Sequence, residues 1–341
     1  MTGTRHGHRL LTALLPRLDH RPESRACLVA GHSKDAMQQT MAGHAMELLA
    51  NEVSTAMPSL TLRITNAIGY VALIFVNVGS AFGLFGPTNA EVSARHPTPL
   101  TPAGWAFSIW GIIFGLQGVG VIYQLLPKGY SQEGKKRIVN SVGFGWQIGW
   151  YFEIAWQLFF VQDTAVTMWV SMFLLLGAFL GFAITLLSLY RLKDTCGSLS
   201  SVLLYLAYFL PTTINTAWVS VAAGVGILIV PEQYNWDERT VEGLAVVLIV
   251  LVTALGAVAM QMERDTAYGL TLIWALVAVY GAQVSPAVRI TALVCIGANT
   301  LLAMFSLLRR KSAGDRSSGE IRQPFKSKSD EDALHNRQQH V

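Results

Sequence analysis

Long apolar runs without charge leave this chain few folds to choose from. Between Val166 and Tyr190 there is not one charged side chain. A helix that covers about 20 residues of this kind crosses the hydrocarbon of a bilayer, whereas a buried core helix needs a shorter run. Eight such segments are expected: about Ala67–Phe85, Gly104–Leu126, Val139–Phe160, Thr164–Tyr190, Ser200–Val230, Glu242–Met260, Tyr268–Val284 and Ala287–Leu308. Charged residues make up only 13% of the chain, roughly half the ~25% of a soluble domain, too few to cover a water-facing surface. The expected fold class is all-α, a polytopic transmembrane helix bundle of about eight spans.

Spans three and four are separated only by Gln162-Asp163. They form either a hairpin or one long tilted helix. Charge placement favours the hairpin. With a turn at Asp163, one side of the membrane holds Arg63, Lys128, Lys135, Lys136, Arg137, Arg191, Lys193, Arg264, Arg309, Arg310 and Lys311. The other holds Arg95, Arg239 and Arg289. Cytoplasmic flanks are rich in Lys and Arg. Both termini are therefore expected on the cytosolic side, or on its equivalent in an organelle membrane.

The stretch 1–62 is an N-terminal extension with Arg5, Arg9, Arg17, Arg21 and Arg25. Its segment His8–Leu18 has the basic amphipathic character of an organelle presequence, the alternative being an unstructured extension. Met46 and Met57 are later candidate starts. The tail 309–341 is polar and charged and is expected to be disordered. Its Arg309-Arg310-Lys311 run sits where basic residues anchor a helix to headgroups.

Several functions find no support. Cys27, Cys196 and Cys295 lie far apart and make neither a metal-ligand spacing nor a disulfide framework. The His residues fall outside the spans, and no metal is expected. No nucleotide-binding glycine loop and no nucleophile–base set is visible, so neither a cofactor nor enzymatic activity is implied. The net charge of +4 comes from the loops, which argues against nucleic acid as a partner.

Eight of the nine tryptophans fall in or beside spans. An interfacial aromatic belt accounts for Trp105, Trp146 and Trp169. It does not account for Trp156 and Trp218, which lie well inside. Phe107, Trp110 and Phe114 stand at i, i+3 and i+7, as do Glu153, Trp156 and Phe160, and Asn215, Trp218 and Ala222. Each trio shares one helix face. Such faces either pack a core or line a cavity for a flat apolar ligand.

These segments resemble the TspO/MBR family, which includes translocator proteins and tryptophan-rich sensory proteins. Thr101-Pro-Ala-Gly-Trp-Ala-Phe-Ser-Ile-Trp110-Gly-Ile-Ile-Phe114 is similar to the start of that family's second helix. Glu153-Ile-Ala-Trp156-Gln-Leu-Phe159-Phe160 resembles its third-helix motif, and Pro211 to Ala222 its fifth. Leu272-Ile-Trp274-Ala275-Leu276 resembles a late helix of the longer bacterial members. Two positions depart from the pattern: Glu153 and Gly226 stand where the family has Asn. The resemblance implies a five-helix core at 63–230, followed by three further helices at 231–308. It also implies an internal pocket for a tetrapyrrole or a sterol, with Trp156, Trp218 and Ala222 on the pocket and Trp105 and Trp110 at its mouth.

Glu153 stands out, because a carboxyl deep in a span costs several kcal/mol and usually faces a bundle interior. It is expected to pair with a cationic substrate, relay a proton, or be protonated and hydrogen-bonded by Gln157 one turn on. Pro211 should kink the fifth span. The pairs Gly111/Gly115, Gly145/Gly149 and Gly177/Gly181 serve either close packing inside the bundle or a homodimer face. The leading reading is a membrane receptor or carrier for a hydrophobic small molecule, with candidate ligand-binding residues Trp105, Trp110, Glu153, Trp156, Phe160, Asn215, Trp218 and Ala222. A secondary transporter with Glu153 as buried coupling residue is the alternative, although no internal repeat supports it.

Overall fold

A computed structural model describes residues 56–127, 133–196 and 202–321. All of them belong to one unit, Ala56–Val341, so the stretches 63–230 and 231–308 share it. The expectations for residues 1–55, for Lys128 and for the tail past 321 lie outside the described residues.

The helices begin where the local chemistry lets them. Helix α1 (Leu60–Ala81) starts earlier than expected because the Ser59 hydroxyl accepts from Leu62 N–H at 3.1 Å, an N-cap that satisfies one of the first free donors. A short helix α2 (Asn89–Arg95) is closed by a reciprocal capping box between Thr88 and Glu91. A 3-10 turn (Gly104–Ser108) leads into α3 (Ile109–Leu125). The third span is two helices and not one, α4 (Glu133–Val142) and α5 (Gly145–Phe160). The break falls at Gly143, whose φ of 49° is a left-handed conformation that glycine adopts without a Cβ clash.

Helix α6 (Ala165–Cys196) follows a true hairpin. Asp163 turns the chain with φ 54°, which rules out one continuous helix. After Val202–Leu204, a wide π turn at Tyr205–Phe209 opens α7 (Leu210–Gln233). The π turn precedes Pro211, which has no N–H to give. The carbonyl four residues before it, that of Ala207, lies against Gly120 of α3, where a Cβ would collide with it. Helices α8 (Glu238–Met262) and α9 (Thr266–Ala282) are capped by the Asp237 and Asp265 carboxylates. Helix α10 (Pro286–Ile321) runs past the Leu308 end expected for the eighth span.

The chain is an all-α, multi-pass membrane bundle. Six of its helical segments are long and apolar enough to cross a bilayer. With 16 and 17 residues, α5 and α9 fall short of that length, and counting both as crossings gives the up-and-down alternation expected from the sequence. Contacts between segment ends support this alternation. Arg95 and His96 meet Asp163, Gln283 bonds to Thr98 and Thr101, and Trp169 meets Tyr234. At the opposite ends, Asn140 bonds to Ala56 and Tyr190 to Asp265. Ends that eight crossings place on the same side are the ends that touch.

The centre is α7, with 78% of its apolar stretch buried against 28–44% in the other five. The outward faces carry exposed Ile68, Val71 and Phe75 on α1, and Leu251 and Val258 on α8. Lipid is the solvent that such a surface requires. Two glycine pairs build the seam between α5 and α6. A Cβ at Gly149 would strike the Phe182 ring, and one at Gly181 would press on the Gly149 backbone at 3.1 Å. Both pairs therefore serve internal packing. Gly111 and Gly115 meet nothing within 4 Å and face outward.

Candidate functional site

One pocket lies between α2, α3, α5, α6 and α7 and encloses about 630 Å³ of space between atoms, its open mouth included. Its walls are aromatic. Trp218 of α7 stands edge-on to Phe107 and Trp110, with ring centroids 5.8 and 6.3 Å apart. From α5, Trp156 stacks on Phe160 at 5.4 Å. Ala222, Val225 and Gly226 continue the α7 wall. At Gly226 a Cβ would sit 3.3 Å from a Leu175 methyl, so glycine there keeps the wall open.

Five of the eight candidate residues line this pocket: Trp110, Trp156, Phe160, Trp218 and Ala222. Trp105 does not, which corrects its expected place at the mouth. It is 49% exposed and lies edge-on to Trp274 at 4.8 Å. Phe107 and Trp110 are i, i+3 and share a face, whereas Trp105 lies two and five residues from them, on another face, and meets α9. Trp146 is another correction. It is no belt residue but fully buried, stacked on Tyr208 at 5.5 Å and donating to Thr212 Oγ1 at 2.8 Å.

Glu153 and Asn215 sit one helical turn from Trp156 and Trp218, beyond the pocket's end, and are 2% and 0% exposed. Both Glu153 carboxyl oxygens and both Asn215 amide atoms lack a hydrogen-bond partner, as do the Trp156 and Trp218 indole nitrogens. Asn215 is close enough to act on the Glu153 carboxyl, although the two do not reach hydrogen-bond geometry. Gln157 does not serve Glu153 either. Its carbonyl oxygen accepts from Asn89 Nδ2 at 2.8 Å.

That bond fixes α2 over the pocket, where Asn89 and Ser93 form part of the lining. A second tie holds the same element. Arg95 and His96 contact Asp163 at 2.7 and 2.5 Å. Burial pushes the Asp163 carboxyl up, but the hydrogen bonds and charges of His96 and Arg95 hold it below the ordinary aspartate range.

Sequence reasoning missed the α6 wall of Met168, Ser171, Met172 and Leu175. Met168, Met172 and Leu175 do recur at i, i+4 and i+7. The signal is hidden because α6 is apolar on every side and no face stands out. It missed α2 as well, although Thr88-Asn-Ala-Glu91 is a legible capping box.

One of the three helices after residue 231, α9, also bears on the pocket. Gln283 donates to the Thr98 and Thr101 carbonyls at 3.1 and 2.7 Å. Ala103 N–H donates to the Ala278 carbonyl at 3.1 Å, and Trp274 Nε1 to the Ala106 carbonyl at 3.1 Å. Helix α9 thus holds the segment that delivers Pro102 and Phe107 to the pocket.

The fold and pocket define a multi-pass helical membrane protein with an apolar chamber inside its bundle. The chain matches the family of TSPO-like proteins over residues 63–305, more than half its length, and it belongs to that family. The match extends into α10, so the three later helices lie within the shared region. No curated protein and no solved structure matches the chain.

Proposed function

We propose that this protein is a membrane receptor or carrier that takes up a hydrophobic ligand of tetrapyrrole or sterol type in the Trp-lined pocket. One observation carries the reading: aromatic faces from α3, α5 and α7 meet around a single cavity. Flat ring faces give stacking area to a flat fused-ring ligand. Binding, not catalysis, is the role that suits walls so poor in acid–base groups.

The test is titration of the full chain in lipid nanodiscs with protoporphyrin IX and, separately, with cholesterol as competitor. Saturable quenching of tryptophan emission is expected, weakened about tenfold or more by Trp218→Ala. Quenching that does not saturate, or that ignores Trp218→Ala, would refute the reading.

Both termini are placed on the cytosolic side or its organellar equivalent. Single cysteines introduced at Lys136 and Trp236 should label from opposite faces of the membrane, and labelling from one face would contradict the placement. A homodimer would use Gly111/Gly115, the glycine pair that faces outward. The particle mass in native mass spectrometry decides it.

A further inference from the structure

Six of the sixteen buried side-chain polar atoms that lack a hydrogen-bond partner among the described residues belong to four residues at one end of the pocket. Glu153 and Trp156 follow each other at i, i+3 on α5, and Asn215 and Trp218 do so on α7. The two tryptophans line the pocket, and the carboxyl and the amide sit one turn, about 5 Å along the axis, behind them. All four residues are 7% exposed or less, and none of the polar atoms at their tips has a hydrogen-bond partner. A buried polar group without a partner costs about 1–3 kcal/mol, and more when charged. Elsewhere in the bundle the same residue types are paired: Trp146 with Thr212, and Trp150 with Gln117.

Among the described residues no cation meets Glu153. The salt bridges among the described residues join Arg95 and His96 to Asp163, and Arg137 to Glu133. Among the described residues the side chain that acts on the Glu153 carboxyl is the neutral Asn215. A carboxyl in such a place is satisfied in both charge and hydrogen bonding by a cationic N–H donor. The Asn215 oxygen offers a further acceptor. An anionic headgroup would instead face the carboxyl across a water-poor chamber.

We propose that the ligand is an apolar ring system carrying a basic nitrogen, whose ammonium passes between Trp156 and Trp218 to lie on Glu153 and Asn215. This rests on the pocket reading above and adds a polar anchor to it; protoporphyrin IX, with its acids turned away from this end, would fill the aromatic walls alone. The rings occupy the aromatic walls, and the ammonium takes the polar end. Ligands that end in a carboxylate are disfavoured at this end of the pocket.

Three matched probes test it on the full chain in nanodiscs: 4-(1-pyrenyl)butylamine, 4-(1-pyrenyl)butanol and 4-(1-pyrenyl)butanoic acid. Each is followed by energy transfer from tryptophan to pyrene, with empty nanodiscs as blank. The tether has about the reach of one helical turn. In the native protein the amine is expected to bind about tenfold tighter than the alcohol, and the acid weakest. Glu153→Gln should bring amine and alcohol within about twofold while leaving alcohol binding in place. Glu153→Leu, which removes a buried carboxyl and so does not threaten folding, should do the same. An amine preference that survives both variants, or is absent from the native protein while binding still depends on Trp218, overturns this inference and leaves the pocket reading standing. Failure of all three probes to bind saturably overturns both.

Discussion

The two halves of α5 differ in one respect that separates scaffold from site. In the first half every buried side chain with a polar tip has a partner. Trp146 donates to Thr212, Gln147 to Asn66 and Thr65, and Trp150 to Gln117. In the second half the Glu153 carboxyl and the Trp156 indole have none, and the facing Asn215 and Trp218 share that condition. The residue types are alike and so is the burial. Gln157 in the second half does have a partner in Asn89, so the contrast is confined to Glu153, Trp156, Asn215 and Trp218, and the proposed ligand is what would meet them.

The scaffold half should therefore answer to structure, and the site half to ligand. The largest effect is expected at the glycine seam. Gly149→Val drives a branched side chain into the Phe182 ring and should cost about 3 kcal/mol, seen as a large fall in thermal midpoint in detergent. A melting point close to native would mean that α5 and α6 are not packed this tightly.

Next comes a paired comparison of tryptophans. Trp150→Phe strands the Gln117 carbonyl oxygen and should destabilise by about 1–3 kcal/mol. Trp218→Phe removes an N–H that has no partner and should cost about 1 kcal/mol less than that. Equal losses in chemical unfolding would erase the distinction between the two halves.

The smallest effect belongs to the Asp163 turn. Its carboxyl titrates below the ordinary aspartate value in the folded chain. Its contribution is therefore complete at neutral pH and disappears as the pH falls below about 4 through the lowered value. Asp163→Asn tolerates the same left-handed backbone and should cost about 0.5–1 kcal/mol at pH 7. The native protein should fall to the level of the variant below pH 4, and a difference that persists in acid would contradict the ion-pair origin.

Run length and charge bias made the spans legible in the sequence, because crossing a bilayer is a constraint on composition as well as on shape. The Trp-centred faces of α3, α5 and α7 were legible because helical periodicity brings i, i+3 and i+7 together. What escaped was set by tertiary context. The break at Gly143 lies inside an apolar stretch where glycine is equally at home in a packed helix. The partner of Gln157 is 68 residues away in sequence, out of reach of any i, i+4 argument. Trp105 shares a motif with Trp110, and its partner is Trp274 of α9, far away in sequence. The clasp of α9 on residues 98–106 depends on main-chain carbonyls, which carry no sequence signature.

The most direct test fills the pocket and compares that with filling nothing. Ala222 lines the chamber, and Gly115 faces outward with no atom within 4 Å. Protoporphyrin IX should quench native tryptophan emission saturably. Ala222→Phe should weaken that binding about tenfold or more, and Gly115→Phe should leave it unchanged. Equal affinity in both variants would contradict a ligand chamber between α5 and α7.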